Sequence, residues 1–254
     1  MPTAIVLAGG GPEPRLAPGL PNKAFLMMGG RPLVVRVTDA LRGCASIDRV
    51  VVIGPPGPLG ALLDASVEVI PERETMIDNM IAAVAQLPMA RQALAAASDL
   101  PLLTADAVEG FLQRCTGDAD FYYPIVPQAA IESRFPGARK TYVTVTDGTF
   151  CGGSVILFAV DAIGRIRPFL EQVVAARKKP WLLATIFGWS TVLKFASGRL
   201  SIDEMEARAF EVTGIRGRAM IVEAPELALD IDAERPENVK ILRAALEPPG
   251  RPGN

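Results

Sequence analysis

The sequence predicts an α/β fold, a mostly parallel sheet covered by helices on both faces. Three observations predict it. Short apolar runs alternate with segments of helical period through the first 127 residues. The first run ends in three consecutive glycines, AIVLAGGG (4–11), so a strand delivers bare backbone to the carboxyl edge of the sheet, where open α/β folds bind ligands. Half of the 254 residues are hydrophobic, enough to fill a core between two helical layers.

Each element follows in order. AIVLA (4–8) reads as a buried strand. RPLVVRVTDALRG (31–43) carries apolar residues at helical spacing and ends on glycine. DRVVVIG (48–54) is a strand closed by PPGP as a turn, and SVEVIP (66–71) is another strand. TMIDNMIAAVAQL (75–87) is an amphipathic helix. ALAAASD (93–99) is a strand whose small side chains imply close packing. Thr104 is placed to cap TADAVEGFLQRC (104–115), and ADFYYPIV (119–126) completes the alternating half. Beyond residue 127 the pattern loosens. TYVTVTDGTF (141–150) alternates strictly up to a DG turn, the mark of an antiparallel or edge segment, and GGSVILFAV (152–160) follows. Residues 160–213 read as helical, interrupted near Lys179 and Pro180. RAMIVEA (218–224) and LALDID (227–232) read as late strands, and RPENVKILRAAL (235–246) as a last helix with Pro236 near its start. Without a repeat or a linker, a single domain over 1–246 is the simplest organisation, with 247–254 a disordered tail.

Composition excludes several function classes. Net charge is −2 with the two signs mixed, unlike the footprint of a nucleic-acid binder. Histidine is absent, which removes histidine triads and His-containing metal sites. Cys44, Cys115 and Cys151 are scattered and odd in number, so neither a disulfide framework nor a zinc site is expected. The start has no basic segment before its short apolar run, and no stretch approaches the ~20 apolar residues of a membrane span. VILFAVDAIG is broken by Asp161. A soluble, cytoplasmic protein without a membrane or nucleic-acid partner is expected.

Glycines at a strand end let backbone N–H groups wrap a phosphate chain. Arg15 and Lys23 lie just beyond and could neutralise the same anion; the alternative is a tight turn with two surface cations. The dinucleotide fingerprint G-x-G-x-x-G fails because Pro14 holds its last position, and no Lys–Ser/Thr pair completes a P-loop.

Four ordered stretches do fit a pattern: LAGGGPEPRLAPGLPNKAFLMMGGRPLVVRVTDAL (7–41), RETMIDNMIAAVAQL (73–87), AAASDLPLLTADAVEGFL (95–112) and ALDIDAERPENVKIL (228–242). The chain resembles the MobA-like and sugar-phosphate-type nucleotidyltransferases, whose motifs run L-A-G-G, Arg, Lys, a base-binding helix, D-x-P-L and a closing D-I-D. The resemblance implies a Rossmann-like three-layer α/β/α fold of nucleotide-diphospho-sugar transferase type, elaborated in its C-terminal half. It also implies an Mg²⁺-dependent reaction of an NTP with a small phosphorylated acceptor that releases pyrophosphate. Residues 1–127 would then be the nucleotide-binding half and 128–246 the acceptor half or a homodimer contact.

The same resemblance implies the roles of individual residues. Leu7, Ala8, Gly9, Gly10 and Gly11 would bracket the nucleotide, and Arg15 and Lys23 would hold the triphosphate and the leaving pyrophosphate. Asn79 would touch the base or ribose. Asp99 would hold Mg²⁺ with Asp232, Asp230 being the rival because alternate strand residues face opposite ways. Arg139, Lys140, Gly152 and Gly153 would meet the acceptor. Arg15 departs from the pattern: Leu16 and Ala17 follow it where the family has Met-Gly. Each role has a plainer counterpart. Asp99 could cap a strand end, Asp232 could cap the last helix, Asn79 could pack or cap its helix, and Arg139 and Lys140 could be a surface pair. Cys151 reads as a small packed residue, the basic run of Arg177, Lys178 and Lys179 as a solvated helix end, and Trp181 and Trp189 as core or subunit contacts. Two other readings stay open, a nucleotide-sugar glycosyltransferase of the related fold and a nucleotide-binding regulatory domain without turnover. Against the first, the mid-chain acid stands alone as S-D-L-P and the D-x-D comes late.

Overall fold

The computed structural model describes residues 1–87, 90–176 and 186–246. The interruption expected near Lys179 and Pro180, the basic run at 177–179, Trp181 and the tail lie outside them. The first half alternates as expected: β1 (Thr3–Leu7), a small hairpin of β2 (Met27–Met28) and β3 (Arg31–Pro32), α1 (Leu33–Arg42), β4 (Arg49–Gly54), α2 (Pro56–Gly60), β5 (Glu68–Pro71), α3 (Met76–Val84), β6 (Gln92–Ala97), α4 (Ala105–Leu112) and β7 (Phe121–Pro127). The second half adds α5 (Gln128–Arg134), β8 (Val143–Val145), β9 (Gly148–Gly152), β10 (Val155–Ala159), α6 (Ala162–Ala176), α7 (Trp189–Ala196), α8 (Ile202–Thr213), β11 (Gly217–Ile221) and α9 (Pro236–Leu246).

Strands β5, β4, β1 and β6 pair in parallel in that order. Strand β10 inserts antiparallel between β6 and β7. Strand β9 pairs with the far end of β7 and carries β8 at the edge, while β11 runs parallel to β7. Period-two alternation divides the strand side chains between two cores. Ala4, Val6, Val50 and Val52 belong to one, and Ile5, Val51 and Ile53 to the other. This is the three-layer α/β fold that the sequence predicts. Thr75 and Thr104 cap α3 and α4 by accepting from the N–H groups of Asp78 and Ala107. Among the described residues no helix is long and apolar enough to cross a membrane.

Three elements differ from the sequence reading. PPGP is not a turn: Pro56 opens α2, where its fixed φ suits a first helical turn, and buried Leu59 holds the turn down. LALDID is not a strand. Pro225–Leu227 is a 3-10 turn, and residues 228–232 follow as irregular chain. Leu227, Ala228, Leu229 and Ile231 are buried, as the apolar letters suggest. The segment's backbone partners, however, lie in loops at the sheet edge: Ser154 N–H donates to Leu227 O (2.7 Å) and Ile231 N–H to Asp99 O (3.0 Å). Helix α5 has no counterpart in the sequence reading; it is short and buries only Ile131. Trp189 is exposed, so it is no core residue.

Candidate active site

The glycines after β1 leave the sheet at its carboxyl edge. Ala8 N–H donates to Ile53 O (2.7 Å), which holds the loop against the end of β4. Gly10 sits at φ +120°, a conformation that needs glycine. Asn22, 3% exposed, ties the loop down: its amide donates to the carbonyls of Ala8 (2.9 Å) and Gly10 (3.3 Å) and its oxygen accepts from Ala24 N–H (2.9 Å). Gly10 N–H, one of the groups a phosphate would use, donates instead to the Glu72 carboxylate (2.7 Å). An anion thus already occupies part of the cradle. Sequence reasoning singles out neither Asn22 nor Glu72. Asn22 stands directly before Lys23 in a Pro-Asn-Lys run, and Asn is a strong turn and cap residue, so that signal is present in the letters. Replacing Asn22 by Ala is expected to leave two carbonyls and one N–H without partners and to cost about 1–3 kcal/mol. Urea unfolding measures this, and an unchanged midpoint would show that the loop does not depend on Asn22.

Lys23 and Asp99 meet beside the cradle. Lys23 Nζ lies 2.6 Å from Asp99 Oδ2 and donates to Ile231 O at 3.3 Å. Asp99 is 4% exposed, and its Oδ1 is buried without a hydrogen-bond partner. Burial pushes the Asp99 carboxyl above its usual range, and Lys23 pulls it back. Burial also opposes the Lys23 charge, but Asp99, with smaller help from Glu13 and Asp230, outweighs it and raises the lysine pKa. Asp230 is therefore close enough to act on both groups. It pairs with Lys140 (2.6 Å), whose side chain is nearly buried. Asp232 turns elsewhere, toward Arg235 (3.4 Å) and the N–H of Glu234 (2.9 Å). The strand alternation argued for these two acids does not apply, because their segment is not a strand.

A cavity of about 580 Å³ opens here, lined by Leu7, Gly9, Gly10, Gly11, Asn22, Lys23, Asn79 and Asp99 together with residues 72–76. The structure thus brings most of the expected nucleotide residues to one site, with Ala8 buried beneath it. Asn79 is buried and accepts from Arg73 N–H (2.5 Å), so its oxygen shapes the cavity wall. Arg15 is exposed and stands outside this lining. Arg139 holds its place by backbone bonds to the buried Asn238 (2.7 Å each), and its side chain points outward near Glu237. Gly153 is glycine because a Cβ there would meet Pro124 Cγ at 2.8 Å; Gly152 faces the Tyr123 hydroxyl in the same way. Cys151 is buried and free, as are Cys44 and, less deeply, Cys115.

The residues present fit a divalent cation of the Mg²⁺ kind. Asp99 offers a buried oxygen without a partner, and Asp230 is a second carboxylate nearby. Among the described residues no group of three or more acidic or cysteine side chains forms a cage. Mg²⁺ is commonly held by one or two carboxylates, with its other ligands drawn from water and substrate phosphates.

The family model of the MobA-like NTP transferase domain matches residues 4–179. Among solved structures, a hypothetical transferase from Thermus thermophilus is 36% identical, with TM-score 0.83 over 94% of this chain and 99% of that one. CMP:2-keto-3-deoxy-manno-octonic acid synthetase, complexed with CTP, shares the fold at 15% identity and TM-score 0.59, covering 96% of this chain and 97% of its own. So does 4-diphosphocytidyl-2C-methyl-D-erythritol synthase from Anaerococcus prevotii, at 10% identity and TM-score 0.57, covering 96% and 95%. No curated protein matches the chain.

Proposed function

Because the chain belongs to the MobA-like NTP transferase domain family, we propose that it transfers a nucleoside monophosphate from an NTP to a small phosphorylated acceptor and releases pyrophosphate. The observation that carries this reading is the Lys23–Asp99 pair beside the glycine loop, with one Asp99 oxygen unsatisfied. An acceptor phosphate oxygen attacks the α-phosphorus in line, and the bond from that phosphorus to the β-bridging oxygen breaks. The leaving pyrophosphate takes the electron pair. Such a step needs positioning and charge neutralisation more than covalent help.

The side chains divide that work. Backbone N–H groups of the glycine loop hold the phosphates once Glu72 yields Gly10 N–H. Lys23 shifts from Asp99 to the triphosphate and stabilises charge on the leaving group. Arg15, exposed on the loop, closes over the same phosphates. Asn79 faces the base or ribose from α3. Asp99 and Asp230 would hold Mg²⁺, which when bound would neutralise the triphosphate and the pyrophosphate that leaves. Lys140, paired with Asp230 at 2.6 Å, holds that carboxylate in place beside the site. Arg139, whose exposed side chain lies near Glu237, is free to swing toward the acceptor's phosphate.

Pyrophosphate release from each NTP with Mg²⁺ and a panel of monophosphate acceptors tests the reading. Within it, Asp230→Asn is expected to lower turnover by at least about 100-fold and Asp232→Asn by less than about tenfold. The reverse order would move the second metal carboxylate back to Asp232.

A further inference from the structure

An apolar trench leads away from the nucleotide cavity. Its first lobe, about 520 Å³, shares Leu7, Met76 and Ala97 with that cavity. Its second, about 540 Å³, lies between α8 and the sheet face of β7, β9 and β11. The lobes meet at Phe121, Tyr123, Ala209 and Gly217. Each volume lies within the roughly 300–1,000 Å³ of small-molecule pockets.

Small residues on both layers create this space. A Cβ on Gly217 would meet nothing within 4 Å, and Ala219 and Ala209 stand near it on β11 and α8. The two layers thus leave an open apolar groove of the size of a small-molecule site rather than closing on one another. The trench walls meanwhile leave apolar side chains to water: Tyr123 is 39% exposed and Met205 38%. Few polar groups there are free. Glu206 is paired with Arg218 (2.7 Å) and accepts from Ala219 N–H (2.7 Å). The Tyr123 hydroxyl donates to Gly153 O (2.8 Å) and that of Thr213 to Ala209 O (2.7 Å). Apart from Ser154 and the Arg218–Glu206 pair the lining side chains are mostly apolar, so a sugar placed here would find few partners for its hydroxyls, whereas a hydrocarbon would gain by leaving water.

We propose that the acceptor is a monophosphate ester of a hydrocarbon chain, whose phosphate meets the nucleotide and whose chain lies in this trench. The proposal rests on the nucleotidyl-transfer reading. The phosphate oxygen that forms the new bond to the α-phosphorus carries the negative charge already, so no oxidant or further reactant is needed, and pyrophosphate is the leaving group.

The test uses the full chain with octyl phosphate below its micelle concentration, glucose 1-phosphate, the four NTPs and Mg²⁺. Octyl phosphate is expected to support pyrophosphate release at least about tenfold better than glucose 1-phosphate. Two variants that fill the trench, Ala209→Trp and Gly217→Leu, are expected to weaken octyl phosphate binding by at least about tenfold while NTP titrations stay unchanged. Circular dichroism checks that each variant folds; if neither does, the two acceptors compared on the unaltered chain decide. Preference for glucose 1-phosphate, or octyl phosphate binding that survives both variants, overturns the proposal and leaves the nucleotidyl-transfer reading in place. So does a dimer that Ala209→Trp splits while octyl phosphate stays inert, since the trench would then be an interface between copies. If no NTP binds, that reading fails and the proposal falls with it.

Discussion

Asp99→Asn is expected to lower turnover by about 10³-fold or more while the fold stays intact. A metal-holding carboxylate contributes several kcal/mol to charge stabilisation in the transition state, and about 4 kcal/mol corresponds to 10³-fold. The fold should tolerate the change for a separate reason. Asp99 is buried, and that burial already works against its charge. Asparagine removes the desolvation penalty together with the attraction to Lys23. The Lys23 side chain is 37% exposed and can turn to water, so the freed cation is not trapped. The net stability change is expected to stay within about 1–2 kcal/mol. Wild-type Mg²⁺-dependent turnover in this variant would refute the metal role; loss of fold would make Asp99 a structural anchor.

Lys23→Ala is expected to slow turnover by about 10²–10³-fold and to weaken NTP binding, because the cavity then keeps Arg73 but loses the cation that sits against Asp99. It also carries a pH signature. Lys23 lowers the pKa of Asp99 against the effect of burial. Without the lysine that pKa rises further, and Asp99 stays protonated to a higher pH. Since only the carboxylate form serves, the acid limb of the rate–pH profile should move up relative to wild type. A profile that scales down without moving would show that Lys23 acts on the triphosphate alone. Unchanged affinity and rate would remove it from the site.

Much of the fold is legible in the letters because its signals are local. Alternating apolar runs mark the parallel strands, Thr75 and Thr104 stand at two helix starts, and the glycine run marks the sheet edge. The motifs that resemble the family group Lys23, Asn79 and Asp99 although they are far apart in the chain, and all three line one cavity. What the letters hide depends on distant partners. LALDID is buried like a strand, but its hydrogen bonds go to loops near residues 99 and 154, so periodicity alone cannot separate Asp230 from Asp232. Glu72 reaches Gly10 across 62 positions. The trench is assembled from β7, β9, β11 and α8, and no single stretch of sequence announces it.

The central claim is that the cavity around Lys23 and Asp99 binds Mg²⁺ and an NTP. Thermal unfolding with each of the four NTPs, with and without Mg²⁺, tests it most directly. A ligand specific to the native state at 100 times its Kd adds about 2.7 kcal/mol of stability. One NTP, or a small subset, should raise the midpoint by that order only when Mg²⁺ is present. A midpoint that no NTP moves, with or without Mg²⁺, would contradict the claim.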